Sequence, residues 1–106
     1  MKFYRQLYIS KSIKKNAFQI KYMVFMHPLK SPYYIICLAK NTDQLDIFHS
    51  RYIVQRYYKK NPPYIVGIAK NKEDAFLLVQ EIVEDIYQKT NSANVKEYFI
   101  HNSKIK

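Results

Sequence analysis

Two short apolar runs, each preceded by proline, constrain the fold of this 106-residue chain more than any other feature. Residues 64–69 (YIVGIA) follow Pro62 and Pro63, and residues 33–38 (YYIICL) follow Pro32. Continuous apolar runs of this length are typical of strands that are buried on both faces of a sheet. Helices must cover such a sheet, so the runs predict an α/β domain.

A long helix is predicted directly after the second run. Asn71 can cap its N-terminus, with Asp74 three residues on to form a capping-box-like pair. Glu73 and Asp74 lie where the helix dipole favours negative charge, and Lys89 lies at the opposite end. Apolar residues at helical spacing predict one inward face. That face comprises Ala75, Phe76, Val79, Ile82, Val83, Ile86 and Tyr87, with Glu81, Glu84, Asp85 and Gln88 on the solvent side.

The first third of the chain predicts a strand and then a helix. Residues 3–9 fit the strand, and residues 11–26 fit a helix that Ser10 caps and His27 ends. Apolar residues also alternate from 18 to 26, as they would in a strand. The length of the segment and its lysine-rich start favour the helix.

The remaining segments complete the predicted order of elements. Residues 50–58 predict a helix between the two apolar strands, which would make those strands parallel through a right-handed crossover. Residues 94–100 predict a half-exposed edge strand. The predicted order is β-α-β-α-β-α-β, with about four strands in a mainly parallel or mixed sheet and three helices. We expect a single α/β domain over residues 1–106, with 101–106 as a flexible tail.

The net positive charge of the chain comes entirely from its first 60 residues. Twelve Lys and Arg residues and two acidic residues lie there, which accounts for the whole formal charge of +10. Such a charge is typical of proteins with a polyanionic partner. The chain is also rich in Lys, Ile, Asn and Tyr, whose codons are rich in A and T, so a compositional origin of the charge is favoured over nucleic-acid binding.

The basic and aromatic segment 51–60 is the best candidate for a binding surface. Exposed tyrosines beside bases can stack on single-stranded nucleic acid or contact an acidic protein. An amphipathic helix with its tyrosines in the core is the commoner arrangement, and it is the favoured interpretation. Together with the lysines of 11–21, the candidate surface comprises Lys11, Lys14, Lys15, Lys21, Arg51, Arg56, Tyr58, Lys59 and Lys60.

Sequence motifs of common enzyme classes are missing from the chain. Gly67 is its only glycine, so it has no phosphate-binding glycine loop, dinucleotide fingerprint or nucleophile elbow. Within a strand, Gly67 indicates a bulge or close packing by a helix. His27, His49 and His101 lack the spacing of metal ligands, and Cys37 is predicted to be a buried apolar residue. We therefore assign no catalytic residue, metal or cofactor.

A pocket at the ends of the strands is an alternative site. Ligands of α/β sheets bind outside the carboxyl ends of parallel strands. With the two apolar strands parallel, that position brings together Lys40, Asp43, His49, Lys70 and Asn71. Such a pocket would suit a small enzyme.

Part of the chain resembles a known family. Residues 64–90 (YIVGIAKNKEDAFLLVQEIVEDIYQKT) and 95–99 (VKEYF) resemble a family of small, uncharacterised bacterial proteins of the Firmicutes type. With YIICL and DQLDIF upstream, the likeness covers about residues 33–100. In that family glycine often stands where Asn71 and Asn91 occur here, and Asn is the usual substitute at left-handed positions. The resemblance implies a compact cytoplasmic α/β domain and supplies no catalytic residues.

Three functions are consistent with the sequence. The favoured one is a non-catalytic cytoplasmic module that binds other proteins or regulates them, including a second copy of itself. In self-association, the acidic residues Glu81, Glu84 and Asp85 would meet the basic half of another copy. Nucleic-acid binding through the basic half and a small enzyme are the alternatives. No bilayer-length apolar segment is present, so no membrane partner is expected.

Overall fold

The computed structural model describes residues 2–39, 45–54, 59–60, 62–92 and 94–103 of the chain. These residues form four strands: β1 (Lys2–Ile9), β2 (Tyr34–Leu38), β3 (Leu45–His49) and β4 (Tyr64–Ala69). They also form three helices: α1 (Ala17–Met26), α2 (Lys72–Thr90) and α3 (Val95–Ser103). Two 3₁₀ turns, Lys11–Asn16 and Ser50–Val54, precede α1 and follow β3. The predicted α/β class and mixed sheet are confirmed.

The strands form one mixed sheet in the order β1-β4-β2-β3. β4 pairs parallel with β1 and antiparallel with β2, and β3 pairs antiparallel with β2. The prediction that β2 and β4 are parallel is therefore wrong. The reason is β3, which sequence reasoning missed: β2 and β3 form an antiparallel pair, so the chain has already reversed direction when it reaches β4.

The predicted edge strand at 94–100 does not form, because residues 95–100 belong to α3 and Asn94 precedes that helix. The Asn94 side chain caps this helix: its Oδ1 accepts from the Glu97 N–H at 3.1 Å, and its Nδ2 donates to the Glu97 carboxylate at 3.0 Å. Val95 and Phe99, four residues apart, are both buried. The helix extends to Ser103, so the predicted tail at 101–106 starts inside it; residues 104–106 lie outside the described part.

The sheet separates two apolar cores, one on each face. Ile35 and Ile36 are adjacent in β2 and both fully buried, yet they belong to different cores, since successive strand residues point to opposite faces. α2 and α3 cover one face, and α1 with the two 3₁₀ turns covers the other. The α2-side core includes Tyr4, Ile36, Val66, Leu78, Ile82 and Phe99, and the α1-side core includes Ile20, Val24, Ile35, Ile53, Ile65 and Ile68.

Gly67 lies at an irregularity of the central strand β4. Gly67 pairs with Ile36, but the next pair along β2 is Cys37 with Ile65, so β4 has one extra residue there. A Cβ atom on Gly67 would lie 3.3 Å from side-chain atoms of both Ile36 and Leu78. Both predicted roles of this glycine, a bulge and close helix packing, are therefore confirmed.

Helix α2 begins and ends as predicted, with one difference. The Asn71 Oδ1 accepts from the Asp74 N–H at 2.8 Å. Asn91 ends the helix in the left-handed region with φ 58°, and its N–H donates to the Tyr87 carbonyl. Asn71 itself is extended, with φ −150°, so the expectation of a left-handed residue is wrong there.

The buried face of α2 differs in part from the predicted one. It centres on Ala75, Leu78, Ile82 and Ile86, which follow each other at intervals of three and four residues. Phe76 and Tyr87, predicted to face inward, are 54% and 53% exposed. The sheet therefore covers only part of the apolar surface of α2 and leaves Phe76 and Tyr87 exposed.

Tyr8 links edge strand β1 to α2. Its hydroxyl donates to Asp85 Oδ2 at 2.6 Å, and Lys89 Nζ lies 3.2 Å from the same oxygen. This hydrogen bond, and then the Lys89 ammonium, lower the pKa of Asp85. Burial, and then the bond to Asp85, raise the pKa of Tyr8. Burial and a hydrogen bond with Tyr98 raise the pKa of neighbouring Tyr4 to about 12.

We predict that Gly67→Val destabilises the fold by about 1–3 kcal/mol, because its methyl groups overpack the contact with Ile36 and Leu78. The free energy of unfolding from urea titration measures the effect. Lys70 lies three residues after Gly67 and is exposed, so Lys70→Val is the matched control and should change stability little. Equal stability of the two variants would contradict the packing role of Gly67.

We also predict an alkaline loss of stability. An unfolded tyrosine ionises near pH 10, whereas folded Tyr4 has a pKa of about 12. The contribution of Tyr4 to the free energy of unfolding is therefore complete below the pKa of the unfolded chain, and it is lost as pH rises through the pKa of the folded chain. Urea midpoints between neutral pH and pH 12 measure it. Tyr4→Phe should make the decline shallower, and an unchanged decline would contradict the assignment.

Candidate functional site

The two layers that cover the sheet differ in charge in the described part of the chain. The layer of residues 11–31 and 50–54, which contains α1 and both 3₁₀ turns, has no acidic residue. Its bases are Lys11, Lys14, Lys15, Lys21, Lys30 and Arg51. The opposite layer, α2 with α3 and their caps, contains Glu73, Asp74, Glu81, Glu84, Asp85 and Glu97. That layer also contains Lys72, Lys89 and Lys96, so the excess of positive charge in the first half becomes a basic layer on one face of the sheet.

The two basic segments singled out in the sequence do share one face of the sheet. Ile13 and Ile53, one from each segment, pack into the α1-side core. The fully buried Ser50 hydroxyl also donates to the carbonyl oxygens of Pro28 and Ser31, at 3.1 and 3.0 Å, which joins the second segment to the turn after α1. Lys59 and Lys60 are exposed, whereas Arg56 and Tyr58 lie outside the described residues.

Helix α1 is apolar on its outer face as well as on its inner face. Ile20 and Val24 face the core, yet a row of large apolar residues faces solvent. Phe18 is 85% exposed, and Leu29, just after the helix, is 68% exposed. A helix that is apolar all round is normally buried, and exposed apolar patches mark interaction sites. The α1 surface, as we name it, comprises Phe18, Tyr22, Phe25, Met26 and Leu29, with Lys14, Lys15 and Lys21 at its margins.

Sequence reasoning missed the α1 surface, although a signal was present. Residues 18–26 fit both a helical and an alternating apolar pattern. Inside a helix, that double fit means that apolar residues occupy the outer face as well as the inner one. The ambiguity between helix and strand was itself the indication of an exposed apolar face.

Two of the predicted binding bases lie over aromatic rings. Lys21 Nζ is 5.1 Å from the ring centroid of Phe3, and the Arg51 guanidinium is 5.5 Å from that of Tyr52. These cation–π contacts hold the two charges beside apolar surface. The basic layer thus presents cations and aromatic rings together.

The pocket predicted at the strand ends required β2 and β4 to be parallel, and they are antiparallel. Tyr34 pairs with Ala69 and Cys37 with Ile65, so the carboxyl end of β2 lies beside the start of β4. Lys40 and Asp43 lie outside the described residues. His49, Lys70 and Asn71 do follow one end of the sheet, because β3 and β4 run in the same direction.

An open cleft of about 500 Å³ lies at that end, between edge strand β3 and the start of α2. His49 is half-buried in it, and the His49 Nδ1 accepts from the Arg51 N–H at 3.1 Å. Burial, and then the charge of Arg51, lower the pKa of His49. The residues that line the cleft include Tyr34, His49, Arg51, Tyr52, Lys72 and Phe76.

A second open cleft, of about 490 Å³, lies between the first 3₁₀ turn and α2. Ser10, Lys11 and Glu81 contribute to its lining. The Ser12 hydroxyl donates to Asp74 at 2.8 Å there, so part of its polar lining is already satisfied. Among the described residues, no group of three or more His, Cys, Asp or Glu side chains could hold a metal ion.

No known family model, curated protein or solved structure matches this chain. Membership of the bacterial family that residues 33–100 resemble therefore stays a prediction. In the described part of the chain, no helix is long and apolar enough to cross a membrane. The function has to be argued from the surfaces themselves.

We predict that Ser50→Ala lowers the free energy of unfolding by about 1–3 kcal/mol, because it leaves the carbonyl oxygens of Pro28 and Ser31 without their buried donor. Thermal or urea unfolding measures the loss. Ser12→Ala removes an exposed hydrogen bond to Asp74 and is the control. A Ser50→Ala variant as stable as the Ser12→Ala variant would contradict this role.

Proposed function

We propose that this chain is a non-catalytic cytoplasmic module that binds an acidic, amphipathic helix of another protein along the α1 surface. The observation that carries the proposal is a row of exposed apolar side chains whose charged neighbours within residues 11–31 are all bases. The row includes Phe18, Tyr22 and Phe25, and Lys14 and Lys21 flank it. An apolar centre with a basic margin is complementary to an apolar stripe with an acidic margin.

The side chains of the α1 surface are those that dominate protein interfaces. Aromatic residues and Met are enriched at interface centres, and a few large side chains carry most of the binding energy. Phe18, Tyr22, Phe25 and Met26 follow each other along one side of the helix, so a second helix can pack against them. Because α1 has ten residues, about three turns of a partner helix match its length.

Single-stranded nucleic acid is the second candidate partner. The specific observation in its favour is that bases and exposed aromatic residues share the α1-side layer, as stacking platforms require. Met26 and Leu29 favour the protein partner, because an aliphatic side chain offers no π-face to a base. The two candidates differ in which of these residues contribute to binding.

A second copy of the chain also offers the complementary chemistry. The outer side of α2 presents Glu73 and Glu84, with Leu77 63% exposed between them. Asp85, which was predicted to belong to this acidic face, is instead bonded to Tyr8 and Lys89. Contact between α2 of one copy and α1 of another would be head-to-tail and would leave free surfaces at both ends.

The test uses a synthetic acidic amphipathic helical peptide, labelled with a fluorophore, and a labelled oligothymidylate. We predict that the peptide binds, and that Phe18→Ser with Phe25→Ser weakens binding at least tenfold, since both rings lie at the centre of the contact. Phe76→Ser with Tyr87→Ser removes two similarly exposed rings from the opposite layer and is the matched control. Fluorescence anisotropy at several salt concentrations measures both ligands.

Three results would overturn the proposal. The first is peptide binding that the Phe18 and Phe25 variant leaves intact. The second is no peptide binding but tight, steeply salt-dependent oligonucleotide binding, which selects the nucleic-acid candidate. The third comes from sedimentation of the chain alone: association that the Phe18 and Phe25 variant abolishes would make a second copy the partner.

A further inference from the structure

The cleft between β3 and α2 combines aromatic walls with basic groups that pair with no described carboxylate. Rings of Tyr34, Tyr52 and Phe76 line it, and Phe76 is more than half exposed. The ring centroids of Tyr34 and His49 are 5.2 Å apart at an angle of 76°, so the two side chains hold each other in an edge-to-face contact. A flat apolar molecule can lie against such walls.

Three groups of the cleft can donate hydrogen bonds to an anion. Because the His49 Nδ1 accepts from the Arg51 N–H, the neutral ring carries its proton on Nε2. The Arg51 guanidinium stacks on Tyr52 and the Lys72 ammonium is exposed, and neither pairs with a described carboxylate. Burial, and then the charge of Arg51, lower the pKa of His49, so a positive charge lies near the ring.

One carboxylate, that of Asp46, also lines the cleft, but it forms no ion pair or hydrogen bond with a described base. Asp46 lies on β3 between Leu45 and Ile47, which pack toward the α2-side core. Successive residues of a strand point to opposite faces, so Asp46 points to the other face, as Phe48 does when it packs into the α1-side core. His49 is on the α2 side with Tyr34, its partner across the strands. The strand pattern therefore turns the Asp46 side chain away from His49, although Asp46 remains part of the lining.

We propose that this cleft binds a small planar molecule that carries an anionic group, such as an aromatic phosphate or carboxylate. The ring of the ligand lies against Phe76 and Tyr52. Its anionic group accepts hydrogen bonds from His49 Nε2–H, Arg51 and Lys72, which offsets the repulsion among them. The volume of about 500 Å³ is within the usual range for small-molecule sites. This site lies apart from the α1 surface and does not depend on the proposed function.

The test is an NMR titration of the whole chain with phenyl phosphate up to about 10 mM, a range that detects millimolar affinity. We predict shifts of the His49 ring and of the Lys72 and Phe76 amides. Inorganic phosphate and phenol, which each supply one half of the ligand, should bind at least fivefold more weakly. Arg51→Ala with Lys72→Ala should also weaken phenyl phosphate at least fivefold, whereas Lys70→Ala, an exposed base outside the lining, should not.

Several outcomes would overturn the proposal. One is the absence of any NMR shift at the highest phenyl phosphate concentration. Another is equal binding of inorganic phosphate and phenyl phosphate, which would indicate that the cleft binds a non-specific ion. If Lys70→Ala weakened phenyl phosphate binding as much as the Arg51 and Lys72 variant does, that too would indicate a non-specific ion. Phe76→Ala is the second variant: its exposed ring can be removed without disturbing the core, and unchanged affinity would contradict the aromatic wall. The Phe18 and Phe25 variant should bind phenyl phosphate normally, which separates this test from that of the α1 surface.

Discussion

The rest of the structure depends on the double-sided burial of the central strand β4. Residues 65–69 are all buried, with β1 and β2 on either side and helices over both faces. Gly67 lets Leu78 of α2 approach the sheet at the bulge. A strand without polar side chains can be stable only when both faces are covered, so the helices from the two halves of the chain must lie on opposite sides.

This arrangement converts a sequence property into a surface property. The basic first half contributes α1 and the 3₁₀ turns to one face, and the acidic helix α2 covers the other. Had α1 and α2 packed on the same face, Lys14 or Lys21 could have paired with Glu81 or Glu84. Separation by the sheet keeps α1 away from these carboxylates, although the first 3₁₀ turn still meets α2, where Ser12 donates to Asp74 and Lys11 lines a cleft with Glu81.

How much could be predicted depended on how local the deciding interactions were. β4 and α2 were predictable because Pro63, Asn71 and Asp74 mark their ends within a few residues. α3 was missed although its Asn94–Glu97 cap is local, because the short apolar segment 94–100 fits a strand as well as a helix. The α1 surface was missed for another reason: the double pattern of residues 18–26 indicates apolar side chains on the outer face of the helix, but whether that face is covered depends on distant parts of the chain. The cleft was missed because His49 and Phe76 are distant in sequence.

By itself, the sequence determined the buried strands, the long capped helix and the excess of positive charge in the first half. Each of these depends on side-chain polarity and on hydrogen bonds between residues close in the chain. Only the tertiary structure decided the direction of β2 relative to β4, because that direction depends on whether β3 pairs with β2. It also decided that the bases share one face and that Phe18 and Tyr22 stay exposed, because both follow from which face of the sheet each helix covers.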